Sequence, residues 1–273
     1  MEWGNKKRVF TVSFLSTVLF LSVPYGAVLF SRFARENKSE ISTIAEQTAK
    51  PLTMLVSCAD KGETPDELLV MSLLPSKGQV AYAAIPGETV MPSDEESVTL
   101  AALWRDRGGR EAADALSSLV GAPIDRYLAI PKNSLIKLID QAGTIDFSVA
   151  GLKRSNEPMR RILDGDAMLS LVYRSPEEEK SRLVAELAGE MLSQRSSLLR
   201  SSDIEKIYLI AVNAGENDLT AADYETRRDA LNDLFSNGCT VAHVVVNGAY
   251  NDEKDAFTLS NSSISALGLA LSR

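Results

Sequence analysis

Three acidic residues, Asp60, Asp66 and Glu88, stand at the boundaries of three short apolar runs, Leu52 to Ser57, Leu68 to Leu74 and Gln79 to Ile85. Apolar runs of this length bounded by Gly, Pro, Ser and Asp mark buried strands. Each carboxylate falls where a strand ends or begins, so three such strands can bring the trio to one edge of a sheet. Open α/β sheets put their ligands at strand ends. Three carboxylates with no His or Cys among them suit a hard, oxygen-seeking cation such as magnesium (Mg2+). The alternative is that they are solvated loop residues.

The elements that must position them follow in order. Ser97 to Trp104 reads as a short helix. Glu111 to Val120 reads as a second, with Ala112, Ala115, Leu116 and Leu119 at helical spacing and a stop at Gly121. Ile124 to Ile130 is a strand, Pro131 to Ala142 a helix, and Thr144 to Val149 a strand. Asp164 caps a helix from Asp166 to Tyr173, and Pro176 to Leu199 is a long helix with Glu177, Glu178 and Glu179 in its dipole-favoured first turn. Ile207 to Val212 is β-branched enough for a strand, or is a buried helix end. Thr220 caps a helix to about Phe235, Cys239 to Val246 is a strand, and Ser260 to Leu271 is the last helix. Strands alternating with helices predict a layered α/β/α domain on a central mixed sheet.

Composition narrows the classes. With 45% hydrophobic and 24% charged residues among 273, the chain is a folded protein. A formal net charge of −8 argues against a nucleic-acid partner, which wants a basic face. Lys6-Lys7-Arg8 precedes an uncharged run, Val9 to Phe30, of about the 20 residues a helix needs to cross a bilayer. Small residues are missing where a signal peptidase would need them, so the run reads as an uncleaved anchor. The expected organisation is a cytoplasmic tail (1–8), a transmembrane anchor (9–30), a linker (31–50) and an extracytoplasmic domain (51–273), single-pass in the cell membrane.

Other reactive residue types read structurally. His243 is the only histidine; inside Val241 to Val246 it reads as a neutral, buried strand residue. A hydrolase triad would have to use His243, and no Gly-x-Ser-x-Gly elbow occurs, so the pattern argues against one. Cys58 and Cys239 read as buried thiols, without settling whether they pair. Trp104 and Tyr127 read as core aromatics.

The stretch from Leu52 through Thr89 resembles the LytR-CpsA-Psr (LCP) family of cell-envelope proteins. The family's strand-and-loop motifs are matched by Ser57-Cys58-Ala59-Asp60, Thr64-Pro65-Asp66-Glu67 and Ile85-Pro86-Gly87-Glu88-Thr89. Similar segments follow in order: Leu103 to Gly109, Ile124 to Tyr127, Ile139 to Ile145, Leu163 to Leu169, and Asn217 to Leu219. The resemblance implies a membrane-anchored, magnesium-dependent phosphotransferase that moves a glycopolymer from a polyprenyl-pyrophosphate carrier to peptidoglycan, with the lipid in an apolar groove. It assigns Asp60 and Asp66 to the metal, and Glu88 and Arg182 to catalysis.

The departures decide the expectation. Pyrophosphate chemistry needs arginine forks to hold the substrate and stabilise the leaving group. Thr64, Gly87, Tyr173, Ser175 and Ala185 stand where the family has functional polar residues, mostly arginine; Arg105, Arg107, Arg174 and Arg182 are the candidates to compensate. One lost charge-stabilising donor costs about 100- to 1000-fold in rate. The expected protein is therefore non-catalytic, with a weak magnesium site at most, binding a polyprenyl-linked or other lipid ligand, a cell-wall polymer or a partner protein. Alternatives are an active phosphotransferase with relocated arginines, or a structural subunit pairing with a competent family member.

Overall fold

The computed structural model describes residues 50–60, 62–92, 98–148 and 160–272. In chain order the elements are β1 (Leu52–Ser57), β2 (Glu67–Leu74), β3 (Gln79–Pro86), β4 (Val90–Met91), β5 (Val98–Thr99), α1 (Leu100–Arg107), α2 (Gly109–Val120), β6 (Arg126–Ala129), α3 (Lys132–Ala142), β7 (Ile145–Ser148), β8 (Arg160–Leu163), α4 (Gly165–Arg174), α5 (Glu177–Arg195), α6 (Ser201–Asn213), α7 (Ala221–Ser236), β9 (Thr240–His243), β10 (Gly248–Asn251), β11 (Ala256–Leu259) and α8 (Asn261–Leu271). The central sheet is mixed, in the order β6-β1-β2-β3-β9. Its β1–β2 and β2–β3 pairs are antiparallel, and β6 and β9 are added in parallel at the two ends.

Side chains alternate across the sheet with period two, which divides the core. Leu55, Leu68, Val70, Ala83 and Ile85 face α1, α2 and α8, packing on Leu100, Leu103, Trp104, Leu116 and Leu267. Leu52, Met54, Leu73 and Val80 face the other way, toward Ile204 and Tyr208 of α6 and Leu231 and Leu234 of α7. Tyr82 and Ala84 lie on that same face against Ala185 of α5. The result is the expected α/β/α layering. A further cluster joins α3, the β7–β8 hairpin, α4 and α5 through Ile139, Ile145, Phe147, Leu163, Met168 and Leu183.

Several helix starts carry side-chain caps. Asp164 accepts from the Ala167 amide at 2.9 Å, and Thr220 and Asp223 form a reciprocal capping box. Ile207 to Val212 is resolved in favour of helix: Ile204, Tyr208 and Ala211 are buried at helical spacing on α6, and the run never joins the sheet. The β10–β11 hairpin has no counterpart in the sequence reading; its four-residue strands carry no apolar alternation, and Tyr250 is exposed. His243 also departs from expectation. It lies exposed on β9, the last strand of the sheet, so only one side of it is covered, by the Tyr82 ring stacked 5.0 Å away. Burial of that covered side, opposed by Glu186, moves the imidazole below its ordinary value. Cys58 and Cys239 are free, partly buried thiols. Among the described residues no helix is long and apolar enough to cross a membrane; the 9–30 span lies outside them.

One buried ion cluster ties β6 to α7. Arg126 donates from Nε and Nη2 to both Asp223 oxygens at 3.0 and 2.9 Å, and Arg227 adds a contact at 3.3 Å. Burial pushes the Asp223 carboxyl up, but Arg126 and the Thr220 hydroxyl and amide together hold it below the usual carboxylate range. A depressed carboxyl contributes stability that is complete above about pH 4 and is lost as pH falls through its folded value. Asp223→Ala is expected to cost about 3 kcal/mol in urea unfolding at pH 7, since it strands two arginines, with the deficit narrowing below about pH 4. A deficit independent of pH would show that the loss is one of packing.

Candidate functional site

The register of the first three strands places the three acids. Ser57 pairs with Leu68, and Leu68 pairs with Ile85, so the end of β1, the start of β2 and the end of β3 share one edge. Asp60, Asp66 and Glu88 all leave the sheet there. Glu88 is held from behind by the unforeseen hairpin: its carbonyl accepts from the Phe257 amide of β11 at 2.9 Å, beside a parallel bridge from Thr89 to Phe257.

What meets Asp66 is a lysine. Lys180 Nζ lies 3.0 Å from Asp66 Oδ2, and the lysine side chain is 7% exposed against 54% for the aspartate. Lys180 belongs to the first turns of α5, and its neighbour Ser181 donates a short hydrogen bond to Glu67. Two consecutive residues of the helix therefore grip two consecutive residues at the start of β2. Arg182, two positions on and so about 200° round the helix from Lys180, is exposed and pairs loosely with Glu186 at 3.8 Å. Asp66 and Arg182 thus flank the same helix from different sides. Asp60 is exposed, and its amide donates to Glu63 at 3.3 Å.

A second group of side chains closes the edge beyond β1. Lys132 Nζ lies 3.2 Å from Glu63 and 4.9 Å above the Tyr173 ring, whose hydroxyl touches Cys58 Sγ at 4.0 Å. The hydrogen bond to Glu63 raises the Lys132 ammonium, and the same bond lowers the Glu63 carboxyl. Burial pushes the Cys58 thiol up, and burial with the adjacent sulfur does the same to the Tyr173 phenol. An unreactive thiol and an unionised phenol result, so neither is a nucleophile near neutral pH. On the other flank Arg105 reaches Thr64 Oγ1 at 3.4 Å, while its Nε and Nη2 are taken by Asp106 at 2.7 and 2.9 Å.

The arginine missing at Gly87 has a steric counterpart. The Gly87 amide donates to the Asp66 carbonyl at 2.8 Å. A Cβ at residue 87 would lie 2.6 Å from the Pro65 carbonyl oxygen and 2.7 Å from that of Asp66. The loop that carries Asp66 has closed onto a residue without a side chain.

A groove of about 320 Å³ opens between the β7–β8 hairpin and α4. Phe147, Leu163, Ala167 and Leu171 make its apolar walls, and the exposed Arg161 and Arg174 stand at its rim. Arg174 follows Tyr173 directly, so the groove and the acidic edge meet at the end of α4.

The resemblance implies a divalent ion at this edge. Magnesium asks for a near-octahedral shell of oxygens. Here one carboxylate of the pair is already bound by a buried ammonium, and among the described residues no three His, Cys, Asp or Glu side chains converge to hold a metal. The residues present do not fit a resident divalent ion.

No family model matches the chain, and no curated protein does. Solved structures do. Bacillus subtilis TagV is 16% identical, with a TM-score of 0.61 over 82% of this chain and 96% of that one. TagT bound to LIIa-WTA is 11% identical, with a TM-score of 0.65 over 82% and 91%. A transcriptional regulator from Enterococcus faecalis is 17% identical, with a TM-score of 0.64 over 82% and 87%. The fold is that of LytR-CpsA-Psr proteins. At these identities the likeness establishes the LytR-CpsA-Psr architecture, and what this edge does has to be argued from its own side chains.

Lys180 is the residue that sequence reasoning missed. A lone lysine in a run of glutamates, serine and arginine looks like part of a solvated helix face, and only its packing shows otherwise. Asp66→Ala is expected to cost about 1–3 kcal/mol of stability, because it removes a carboxylate partner of a buried ammonium. Asp60→Ala should stay within about 0.5 kcal/mol, as for an exposed position. Equal effects in chemical denaturation would show that the Lys180 pair contributes nothing.

Proposed function

We propose that the chain is a membrane-anchored, extracytoplasmic LytR-CpsA-Psr protein of the cell envelope that binds a polyprenyl-linked or other lipid ligand and does not transfer it. The observation that carries this reading is the groove: apolar walls from Phe147, Leu163, Ala167 and Leu171 beneath two rim guanidiniums suit an amphiphile with an anionic head. The anchor is the apolar run from Val9 to Phe30. TagT, which shares the fold, is known in complex with LIIa-WTA.

The edge argues against turnover. Transfer needs donors aimed at the oxygens where charge develops. Arg182 is turned outward onto Glu186, Lys180 is committed to Asp66, and Arg105 is chelated by Asp106. Glu88 stands at the expected edge, preceded by Gly87 where the family has arginine. In this reading magnesium is at most a weak visitor at Asp60 and Asp66, since it must displace Lys180.

One observation favours the phosphotransferase alternative. Arg105 Nη1 lies 3.4 Å from Thr64, at the place where the family carries an arginine before Asp66. A guanidinium recruited from α1 would serve there if Asp106 released it.

Farnesyl pyrophosphate is a soluble probe for the lipid reading. The full chain in detergent should bind it, and Arg174→Ala should weaken binding by about tenfold or more, the loss of one charge-assisted contact. A reconstituted glycopolymer transfer assay should give no product. Absence of probe binding would sink the lipid reading. Transfer abolished by Asp66→Asn and by Arg105→Ala would install the phosphotransferase instead.

A further inference from the structure

We propose that Lys180 is the resident cation of the strand edge: its ammonium balances Asp66 where a divalent ion balances the corresponding aspartate of LytR-CpsA-Psr sites, and so excludes such ions. The inference does not depend on what the groove binds. It rests on the disagreement between the donor set and the metal that the fold leads one to expect.

Three features fit Lys180 for this. Its Nζ is 3.0 Å from Asp66 Oδ2, within the volume that a divalent ion and its inner oxygen shell would need. Its stem is buried while Asp66 remains half open to solvent, so the charge is delivered from the protein side and cannot swing away into water. The Ser181–Glu67 bond beside it clamps α5 to β2, which fixes the helix that carries the ammonium. A tethered cation of this kind competes at a high effective concentration against any ion arriving from solution.

The two positive charges also repel. A divalent ion on Asp66 would sit against the Lys180 ammonium, with Lys132 at the start of α3 adding to the field. Entry of the metal therefore requires the lysine to be displaced from Asp66, which its buried stem opposes.

Manganese, read by the loss of its free-ion paramagnetic signal, tests the proposal on the full chain in detergent. Wild type should bind at this edge no more tightly than ~1 mM. Lys180→Met, which keeps the length of the stem and removes the charge, should tighten binding by at least about tenfold. The gain should vanish in Lys180→Met combined with Asp66→Asn, which also subtracts adventitious sites on an acidic surface. A folded Lys180→Met with no gain overturns the proposal. If that variant fails to fold by circular dichroism, Lys180→Gln replaces it. A test without any variant uses isotope-labelled lysine: paramagnetic broadening of the Lys180 signals by manganese well below ~1 mM would overturn the idea, and sharp signals there would support it.

Discussion

The pairing of β2 between β1 and β3 is the constraint on which everything at this edge depends. With Ser57 opposite Leu68 and Leu68 opposite Ile85, three loops separated in sequence leave the sheet side by side. A slip of one residue would send Leu68 and Val70 to the face of α5 to α7 and bring Leu69 and Met71 against α1 and α2. Neither layer would tolerate the exchange, because Leu68 and Val70 are completely buried on their side. The register is therefore enforced by hydrophobic packing on both faces, and the acidic edge is a product of the core.

At that edge the chain answers its own charges. Asp66 is met by Lys180, Glu63 by Lys132, and Asp106 by Arg105. An anionic ligand arriving there finds cations that already have partners, whereas the guanidiniums of Arg161 and Arg174 border an apolar groove a short way along α4. In the reading proposed above, ligand binding belongs to that helix and the β7–β8 hairpin and not to the strand ends.

How much of this was legible follows from where the information lies. The three strands and their turn were written locally, in apolar runs punctuated by Pro75, Gly78, Pro86 and Gly87, and so was the sharing of an edge by the three acids. Caps at Asp164 and Thr220 were equally local, because a side chain two or three positions from its amide needs no tertiary partner. Ile207 to Val212 had a strand's composition, and helix wins there because Ile204, Tyr208 and Ala211 have a core to fill. The burial of Lys180 and the outward turn of Arg182 follow from the way α5 lies across β2 and β3, which no window of sequence contains. The β10–β11 hairpin escaped for the opposite reason: β10 is exposed throughout, only Ala256 and Leu259 of β11 are buried, and Asp255 at positive φ is its main local mark.

Gly87 fixes the order in which the edge can be altered. The carbonyls of Pro65 and Asp66 occupy the space that any side chain at 87 would need. An arginine cannot be seated at 87 by one substitution, for the loop must open first. Remodelling this edge toward an arginine at 87 therefore begins with the backbone of the loop that carries Asp66 and not with the side chain alone.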